Sequence, residues 1–167
     1  MVDDATLLTL AHELGTALKN KGWNLTLAES CTGGWAAQSV TAIAGSSAWF
    51  DRGFVTYSNL AKQQMLGVGA DTLEQYGAVS EQTAEEMALG AIAHSSADIS
   101  AAITGIAGPE GGSTEKPVGT VCFGWSCKSG QILTQTEVFS GDREAVRRQA
   151  VKTALTGLLQ LTLATDL

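Results

Sequence analysis

Helical and strand patterns alternate along this 167-residue chain, and their order restricts the folds it can adopt. Apolar residues at helical spacing predict helices, whereas short runs of β-branched and aromatic residues predict strands. The predicted helices span residues 4–20, 34–43, 59–65, 71–76, 80–94 and 143–163. The predicted strands span residues 23–28, 50–58, 99–104, 118–127 and 132–139, the last two forming an antiparallel pair.

The resulting order, α-β-α-β-α-α-α-β-β-β-α, predicts a three-layer α/β/α sandwich with a central mixed sheet. Helices that alternate with strands cover both faces of a sheet, and the terminal hairpin adds antiparallel strands. A length of 167 residues suits one domain. No repeat, linker or low-complexity segment divides the chain, so we expect a single domain over residues 1–167.

The composition argues against several classes of protein. Hydrophobic residues make up 44% of the chain and charged residues 16%, as in globular proteins. The net charge of −7 argues against nucleic-acid binding through a basic surface. No apolar run reaches the length of a membrane span, and the acidic N-terminus is unlike a signal peptide. We expect a cytoplasmic protein with no nucleic-acid or membrane partner.

The three cysteines have neither the spacing of a metal site nor that of a disulfide framework. Cys122 and Cys127 fall in one predicted strand and are expected to pack there. Cys31 precedes a predicted helix, and a helix N-terminus can stabilise a thiolate, so a cysteine nucleophile is a minor alternative. We expect no metal and no cofactor.

Residues 28–34, AESCTGG, lie where the first predicted strand turns into a helix. Backbone N–H groups at a helix start can bind a phosphate or carboxylate, and glycines such as Gly33 and Gly34 let a ligand approach closely. Ser30 adds a hydroxyl. Spacing alone slightly favours an ordinary turn with Thr32 as the N-cap, because a single turn of this kind is a weak signal.

A second group of reactive side chains occupies residues 45–62. Ser47 follows a glycine at a turn, Tyr57 ends a predicted strand and Lys62 lies in a short helix. A serine hydroxyl needs a base to become a good nucleophile, and a lysine can serve when burial lowers its pKa. Tyr57 could carry a proton or donate to an oxyanion. Spacing alone nevertheless favours plain structural roles for all three.

Two further segments could contact a ligand. Thr104 and Gly105 end a buried strand, which is where ligands bind in α/β sheets. The glycine-rich loop over residues 105–117 could close over a small molecule or could be an ordinary surface loop. Arg143 lies in the first turn of the last helix, where a cation opposes the helix dipole. That position favours a role outside the helix, such as an anion contact.

These stretches together resemble the C-terminal domain of the competence/damage-inducible CinA family, in its stand-alone form. The matching stretches are LAESCTGG at 27–34, AGSSAWFDRGFVTYSNLAK at 44–62, GAVSEQTAEEMA at 77–88, TGIAGPEGGSTEKPVGTV at 104–121 and GDREAVRRQA at 141–150. The stand-alone members are nicotinamide-nucleotide amidohydrolases. The resemblance therefore implies conversion of nicotinamide mononucleotide and water to nicotinate mononucleotide and ammonia, in pyridine nucleotide recycling.

The resemblance also implies a Ser/Lys mechanism, with Ser47 as nucleophile, Lys62 as base and Tyr57 as an assisting hydroxyl. Whether Ser47 or Ser30 attacks stays open. The implied substrate-binding residues are Ser30, Gly33, Gly34, Thr104, Gly105 and Arg143. The family further implies a homo-oligomer, a dimer or larger.

Two other functions are compatible with this sequence. The chain could be a non-catalytic nucleotide-binding or regulatory module of the same fold, or an amidase acting on a different amide. The joint presence of Ser47, Tyr57 and Lys62 favours an enzyme, because a pure binding module needs no such set.

Overall fold

The computed structural model describes residues 1–166. The helices are α1 (Asp4–Lys21), α2 (Trp35–Thr41), α3 (Asn59–Leu66), α4 (Ala70–Tyr76), α5 (Glu81–Ala93) and α6 (Arg143–Ala164), with a short 3-10 helix at Ser46–Ala48. The strands are β1 (Leu25–Glu29), β2 (Phe50–Val55), β3 (Ile99–Gly105), β4 (Thr120–Cys127) and β5 (Ile132–Val138). The predicted order of helices and strands is confirmed; the 3-10 helix was not predicted.

The five strands form one mixed sheet in the order β2-β1-β3-β4-β5. β1 pairs in parallel with β2 and β3, whereas β3–β4 and β4–β5 are antiparallel. Every residue of β1 and of β4 is buried, as expected for strands covered on both faces. The α/β fold with a central mixed sheet, predicted from the sequence, is confirmed.

The two faces of the sheet are packed differently. α1, α2 and α6 lie on one face over large side chains such as Phe123 and Trp125. α5 lies on the other face over small residues such as Ala28 and Ala102. A Cβ atom added at Gly124 would come within 2.5 Å of the Ala84 carbonyl oxygen. Small residues therefore let α5 approach the sheet closely, while bulky side chains fill the opposite layer.

The helix ends follow ordinary capping rules. The side chains of Asp3, Ser58, Ser80 and Asp142 accept hydrogen bonds from the first turns of α1, α3, α5 and α6. α1 ends at Gly22 and α3 ends at Gly67, both in the left-handed conformation. None of the helices within residues 1–166 has both the length and the apolar character that crossing a membrane requires.

Candidate active site

The candidate site lies at the edge of the sheet where the three parallel strands β1, β2 and β3 end. Ser30 follows β1 directly, and its N–H donates to the Ile103 carbonyl over 2.9 Å. Thr56 follows β2, and its N–H donates to the Glu29 carbonyl over 2.8 Å. Ligands bind outside the carboxyl ends of strands in α/β sheets. This edge therefore brings together the residues that follow all three strands.

Lys62 is buried at this edge and contacts Ser30. Its Nζ atom donates to Ser30 Oγ over 3.0 Å and to the Thr56 carbonyl oxygen over 3.0 Å, and the residue is only 2% exposed. Burial disfavours the charged amine and lowers the pKa of Lys62. No carboxylate forms an ion pair with Lys62 among residues 1–166. Lys62 therefore has the environment of a lysine that can act as a base.

Ser47 lies at the opposite edge of the sheet. It belongs to the 3-10 helix that precedes β2 and is exposed to solvent. Leu25, at the start of β1, pairs with Phe50, whereas Glu29, at its end, pairs with Val55. The four residue steps from Leu25 to Glu29, at about 3.3 Å each, separate the two edges by about 13 Å. Within one chain the structure therefore does not bring Ser47 beside Lys62, because a whole strand lies between them.

Tyr57 and Arg143 contact one another at the mouth of the site. Arg143 Nη2 donates to Tyr57 Oη over 2.9 Å, and Nη1 donates to the Gly108 carbonyl oxygen over 2.8 Å. Tyr57 is 62% exposed, and its own hydroxyl proton remains free to donate. Arg143 thus connects the segment that follows β2 to the glycine-rich loop that follows β3. It lies where a substrate entering the site could contact it.

The turn from Ser30 to Gly34 is closed by glycines in conformations that other residues rarely adopt. Gly33 has φ +59° and Gly34 has φ +101°. The Gly33 N–H donates to the Ser30 carbonyl over 3.0 Å. The Thr32 N–H has no acceptor within residues 1–166. The N–H groups of Cys31 and Gly34 likewise have none there, so the turn beside the Ser30 hydroxyl holds three backbone donors without an acceptor, of which that of Thr32 belongs to a residue with no exposed surface.

The start of α2 does not provide the anion site expected there. The Glu29 carboxylate, 1% exposed, accepts the N–H of Ala36 over 2.8 Å and that of Ala37 over 3.0 Å. It also accepts the Thr32 hydroxyl over 2.7 Å, so Thr32 does not act as the helix cap. A buried carboxylate already satisfies these helical donors. A phosphate bound at the start of α2 would therefore find the N–H groups of Ala36 and Ala37 already used, and the Glu29 carboxylate would repel it.

Thr104 and Gly105 lie at the site, but the structure gives both of them packing roles. Thr104 is 1% exposed, and its hydroxyl donates to the Ala78 carbonyl oxygen over 2.7 Å. Only its lone pairs remain for a substrate. A Cβ atom at position 105 would lie 2.7 Å from a methyl carbon of Val121. The absence of a side chain at Gly105 therefore allows β3 to pair closely with β4.

The minor alternative of a cysteine nucleophile does not fit the surroundings of Cys31. The thiol is buried, and burial raises the pKa of Cys31 to about 12. Thiolate character is what makes a cysteine reactive. Cys31 therefore acts as a small packing residue, as Cys122 and Cys127 do in β4.

Three residues at this edge were given no role in the site from the sequence, Arg147 having been interpreted with Arg148 as part of a solvated basic face. Glu29 and Thr56 flank the Ser30–Lys62 contact, and the buried Thr56 hydroxyl has no partner among residues 1–166. Arg147 donates from Nε to the Cys31 carbonyl over 3.0 Å and from Nη2 to the Thr32 carbonyl over 3.1 Å. The spacing of Arg143 and Arg147, four residues apart on one helix face, is the signal that could have identified Arg147.

The chain is similar to known proteins over almost its whole length. A family model described as CinA C-terminal domain matches residues 7–162. "Nicotinamide-nucleotide amidohydrolase PncC" of Escherichia coli strain K12 is 58% identical over 157 residues, which cover 94% of this chain and 95% of that protein. The protein of the same name from Enterobacter agglomerans is 62% identical over 149 residues, covering 89% of this chain and 91% of that protein.

A solved structure and a longer relative complete the comparison. The competence/damage inducible protein CihA from Agrobacterium tumefaciens has a TM-score of 0.92 and 48% identity, over 93% of this chain and 95% of that one. A "CinA-like protein" from Syntrophobacter fumaroxidans is 47% identical over 146 residues, which are 87% of this chain but 34% of that protein. The same fold thus also occurs as part of a longer chain.

Proposed function

The chain belongs to the CinA C-terminal domain family, and we propose that it hydrolyses the carboxamide of nicotinamide mononucleotide to nicotinate mononucleotide and ammonia. The observation that carries this proposal is the 58–62% identity, over nearly the whole chain, to relatives named nicotinamide-nucleotide amidohydrolase. A buried lysine beside a serine hydroxyl, as Lys62 is beside Ser30, is one arrangement that can activate a serine for amide hydrolysis. An enzyme that catalyses this reaction would take part in pyridine nucleotide recycling.

In the proposed mechanism Ser30 is the nucleophile and Lys62 is the base. The support is the 3.0 Å contact between their side chains, together with the lowered pKa of Lys62. Neutral Lys62 takes the proton from Ser30 Oγ as that oxygen attacks the carboxamide carbon. The attack forms a carbon–oxygen bond, and the carbonyl electron pair moves onto oxygen as a tetrahedral intermediate.

The same lysine then serves as the acid. Lys62, now protonated, gives its proton to the amide nitrogen, the carbon–nitrogen bond breaks and ammonia leaves. Ser30 is left as an ester of the nicotinate group. A water molecule attacks this ester while Lys62 takes a proton from the water. The second tetrahedral intermediate then collapses, the bond between the carbonyl carbon and Ser30 Oγ breaks, Lys62 returns the proton to Ser30 Oγ and the acid is released. The pyridinium ring withdraws electrons from the carbonyl carbon, so a modest nucleophile suffices.

Backbone and side-chain donors near Ser30 are proposed to stabilise the negative oxygen of each intermediate. The N–H groups of Cys31, Thr32 and Gly34, which lie in the turn that Gly33 and Gly34 close, have no acceptor among residues 1–166. Donors aimed at a developing oxyanion in a site of this type each contribute roughly 10²–10³-fold to the rate. Tyr57, whose hydroxyl proton is free, is an additional proposed donor at the mouth of the site.

Arg143 is the proposed contact for the substrate phosphate. Its guanidinium has five N–H donors, and the two hydrogen bonds to Tyr57 and Gly108 leave others available. The N-terminus of α2 is excluded from this role because Glu29 occupies its donors. Thr104 and Gly105 are proposed to line the substrate pocket from the end of β3.

Ammonia release tests the proposed function. Nicotinamide mononucleotide, nicotinamide and nicotinamide riboside would be compared as substrates under identical conditions, with Ser30→Ala as the inactive reference. Preferential release from the mononucleotide supports the proposal. No release from any of the three would favour a non-catalytic nucleotide-binding module, and release from the riboside or the free base alone would favour a different amidase.

We also propose that the protein is a cytoplasmic homo-oligomer. The supporting features are the two outermost strands of the sheet, β2 and β5, each of which pairs with a neighbour on one side only. On β5, the apolar side chains of Leu133 and Val138 are 46% and 60% exposed. Exposed apolar groups on an edge strand favour association. A phosphorylated substrate formed inside the cell is consistent with a cytoplasmic enzyme. Sedimentation of a monomer at micromolar concentration would contradict the proposed assembly.

A further inference from the structure

Arg147 contacts the turn that carries Ser30, although it lies 117 residues further along the chain. It comes from the second turn of α6 and is half-buried against the turn. Its Nε and Nη2 atoms donate to two consecutive carbonyls, those of Cys31 and Thr32, over 3.0 and 3.1 Å. A planar guanidinium that binds two neighbouring peptide groups fixes the orientation of both.

The direction of these carbonyls determines where the turn presents its amides. A trans peptide unit is planar and directs its C=O and its N–H to opposite sides. Because Arg147 holds the Cys31 carbonyl toward α6, the N–H of Thr32 points away from α6. The Thr32–Gly33 peptide is held twice, since the Gly33 N–H also donates to the Ser30 carbonyl. Arg147 therefore fixes the orientation of the Cys31–Thr32 and Thr32–Gly33 peptides, in a turn whose N–H groups at Cys31, Thr32 and Gly34 have no acceptor among residues 1–166.

The charge of Arg147 is not neutralised by an acidic partner. No ion pair found among residues 1–166 includes it. The neighbouring Arg148, in contrast, forms ion pairs with Asp4 and Glu144. Both guanidinium groups stack on the Trp35 ring, with Cζ atoms 5.3 Å (Arg147) and 4.8 Å (Arg148) from its centroid. Arg148 thus shares the helix, the charge and the aromatic contact of Arg147 but not its contact with the turn.

We propose that Arg147 is a positioning residue for catalysis, which orients the amides of the Ser30 turn toward the negative oxygen formed during amide hydrolysis. This inference rests on the proposed function. It predicts that Arg147 acts on the chemical step and has little effect on substrate binding, since Arg143 and not Arg147 is the proposed phosphate contact. Donor geometry at an oxyanion affects kcat far more than KM.

The test compares Arg147→Gln with Arg148→Gln as the matched control. In Arg147→Gln, kcat for nicotinamide mononucleotide is expected to fall by about 10–100-fold, since losing a whole oxyanion donor lowers kcat about 10²–10³-fold. KM is expected to stay within about 3-fold. The inflection of the pH–rate profile is expected to be unchanged, because Lys62 remains in place. Arg148→Gln is expected to retain kcat within about 3-fold, with a similar loss of thermal stability.

Arg147→Lys keeps the charge but replaces the planar fork with a single ammonium group. It is expected to recover only part of kcat, and it replaces Arg147→Gln if that variant does not fold. Equal kcat losses in the Arg147 and Arg148 variants, or normal kcat in Arg147→Gln, would overturn the inference. A purely structural role would lower thermal stability without a selective loss of kcat.

A second assay separates this inference from the proposed substrate. Ser30 would be labelled with a fluorophosphonate and the adduct identified by mass spectrometry. This reaction needs the serine, the lysine and the turn amides but no nucleotide. Labelling is expected to be slowed in Arg147→Gln but not in Arg148→Gln. If the wild type is labelled on Ser30 but does not release ammonia from the nucleotide, the proposed substrate fails while the inference stands; an unlabelled wild type overturns both.

Discussion

Lys62 and Ser30 are separated by 32 residues in the chain, yet the lysine amine donates to the serine hydroxyl over 3.0 Å. The contact arises because β1 and β2 are parallel neighbours, so the segments that follow them leave the sheet at the same edge. The Thr56 carbonyl holds the same amine from the end of β2. The pairing of a buried lysine with a serine is therefore a direct consequence of the strand order.

The first prediction distinguishes the two candidate serines. Ser30→Ala is expected to lower kcat by at least ~10³-fold, because removing the nucleophile of a hydrolase has effects of this size or larger. Ser47→Ala, at the opposite edge of the sheet, is the control and is expected to keep kcat within about 3-fold. Steady-state ammonia release measures both, and calorimetry should show that Ser30→Ala still binds the nucleotide. A large loss of kcat in Ser47→Ala with near-normal kcat in Ser30→Ala would identify Ser47 as the nucleophile.

The second prediction concerns pH. Burial lowers the pKa of Lys62 below the ordinary lysine value of 10.5, and only the neutral amine can accept the Ser30 proton. Activity is therefore expected to be low at acidic pH, where Lys62 is protonated, and to rise through an inflection below that value. A pH profile of kcat/KM measures this.

A matched pair of variants tests whether Lys62 causes that profile. Lys62→Arg keeps the positive charge but cannot lose its proton in this pH range, whereas Lys62→Met keeps the apolar stem. Both are expected to be inactive at every pH tested. A normal pH-dependent rise in Lys62→Arg would assign the titration to another group.

The third prediction concerns Arg143 and the phosphate. A hydrogen bond between charged groups contributes about 1.5–3 kcal/mol, which corresponds to roughly 10–100-fold in affinity. Arg143→Gln is therefore expected to raise KM for nicotinamide mononucleotide by about that factor and KM for the riboside by less than about 2-fold. The riboside lacks the phosphate and is the matched control. Equal changes in KM for both substrates would indicate that Arg143 contacts the nucleoside part of the substrate or only holds the glycine-rich loop in position.

The fourth prediction concerns Glu29 and stability. Its buried carboxylate accepts three hydrogen bonds, from Thr32, Ala36 and Ala37. Glu29→Gln removes the charge and introduces an amide that cannot accept all three, so the free energy of unfolding is expected to fall by about 1–3 kcal/mol. Urea denaturation measures this change. Glu13→Gln, on the exposed face of α1, should alter stability by less than about 0.5 kcal/mol; similar losses in both variants would argue against the capping role.

The secondary structure and the class of fold could be predicted from the sequence, because they depend on local patterns. The apolar spacing in α1 and α6 and the strand patterns of β1 and β3 predict elements whose ends differ from the observed ones by one or two residues at most positions. The glycine pair at residues 33 and 34 likewise indicated a tight turn between a strand and a helix. Conformational preferences of this kind act over a few neighbouring residues and can therefore be recognised from the sequence alone.

The identity of the serine beside Lys62 was decided only by the tertiary structure. Ser30 and Ser47 lie in comparable local sequences, each next to a turn and small residues, but the direction of the parallel strands β1 and β2 places them at opposite edges of the sheet. The use of the α2 amides by Glu29, and the contact of Arg147 with the Ser30 turn, also depend on packing between distant segments. The sequence by itself determined which reactive groups are present and that an α/β sheet would carry them. Which groups meet depends on strand order and on the burial of charge, and both are properties of the folded chain.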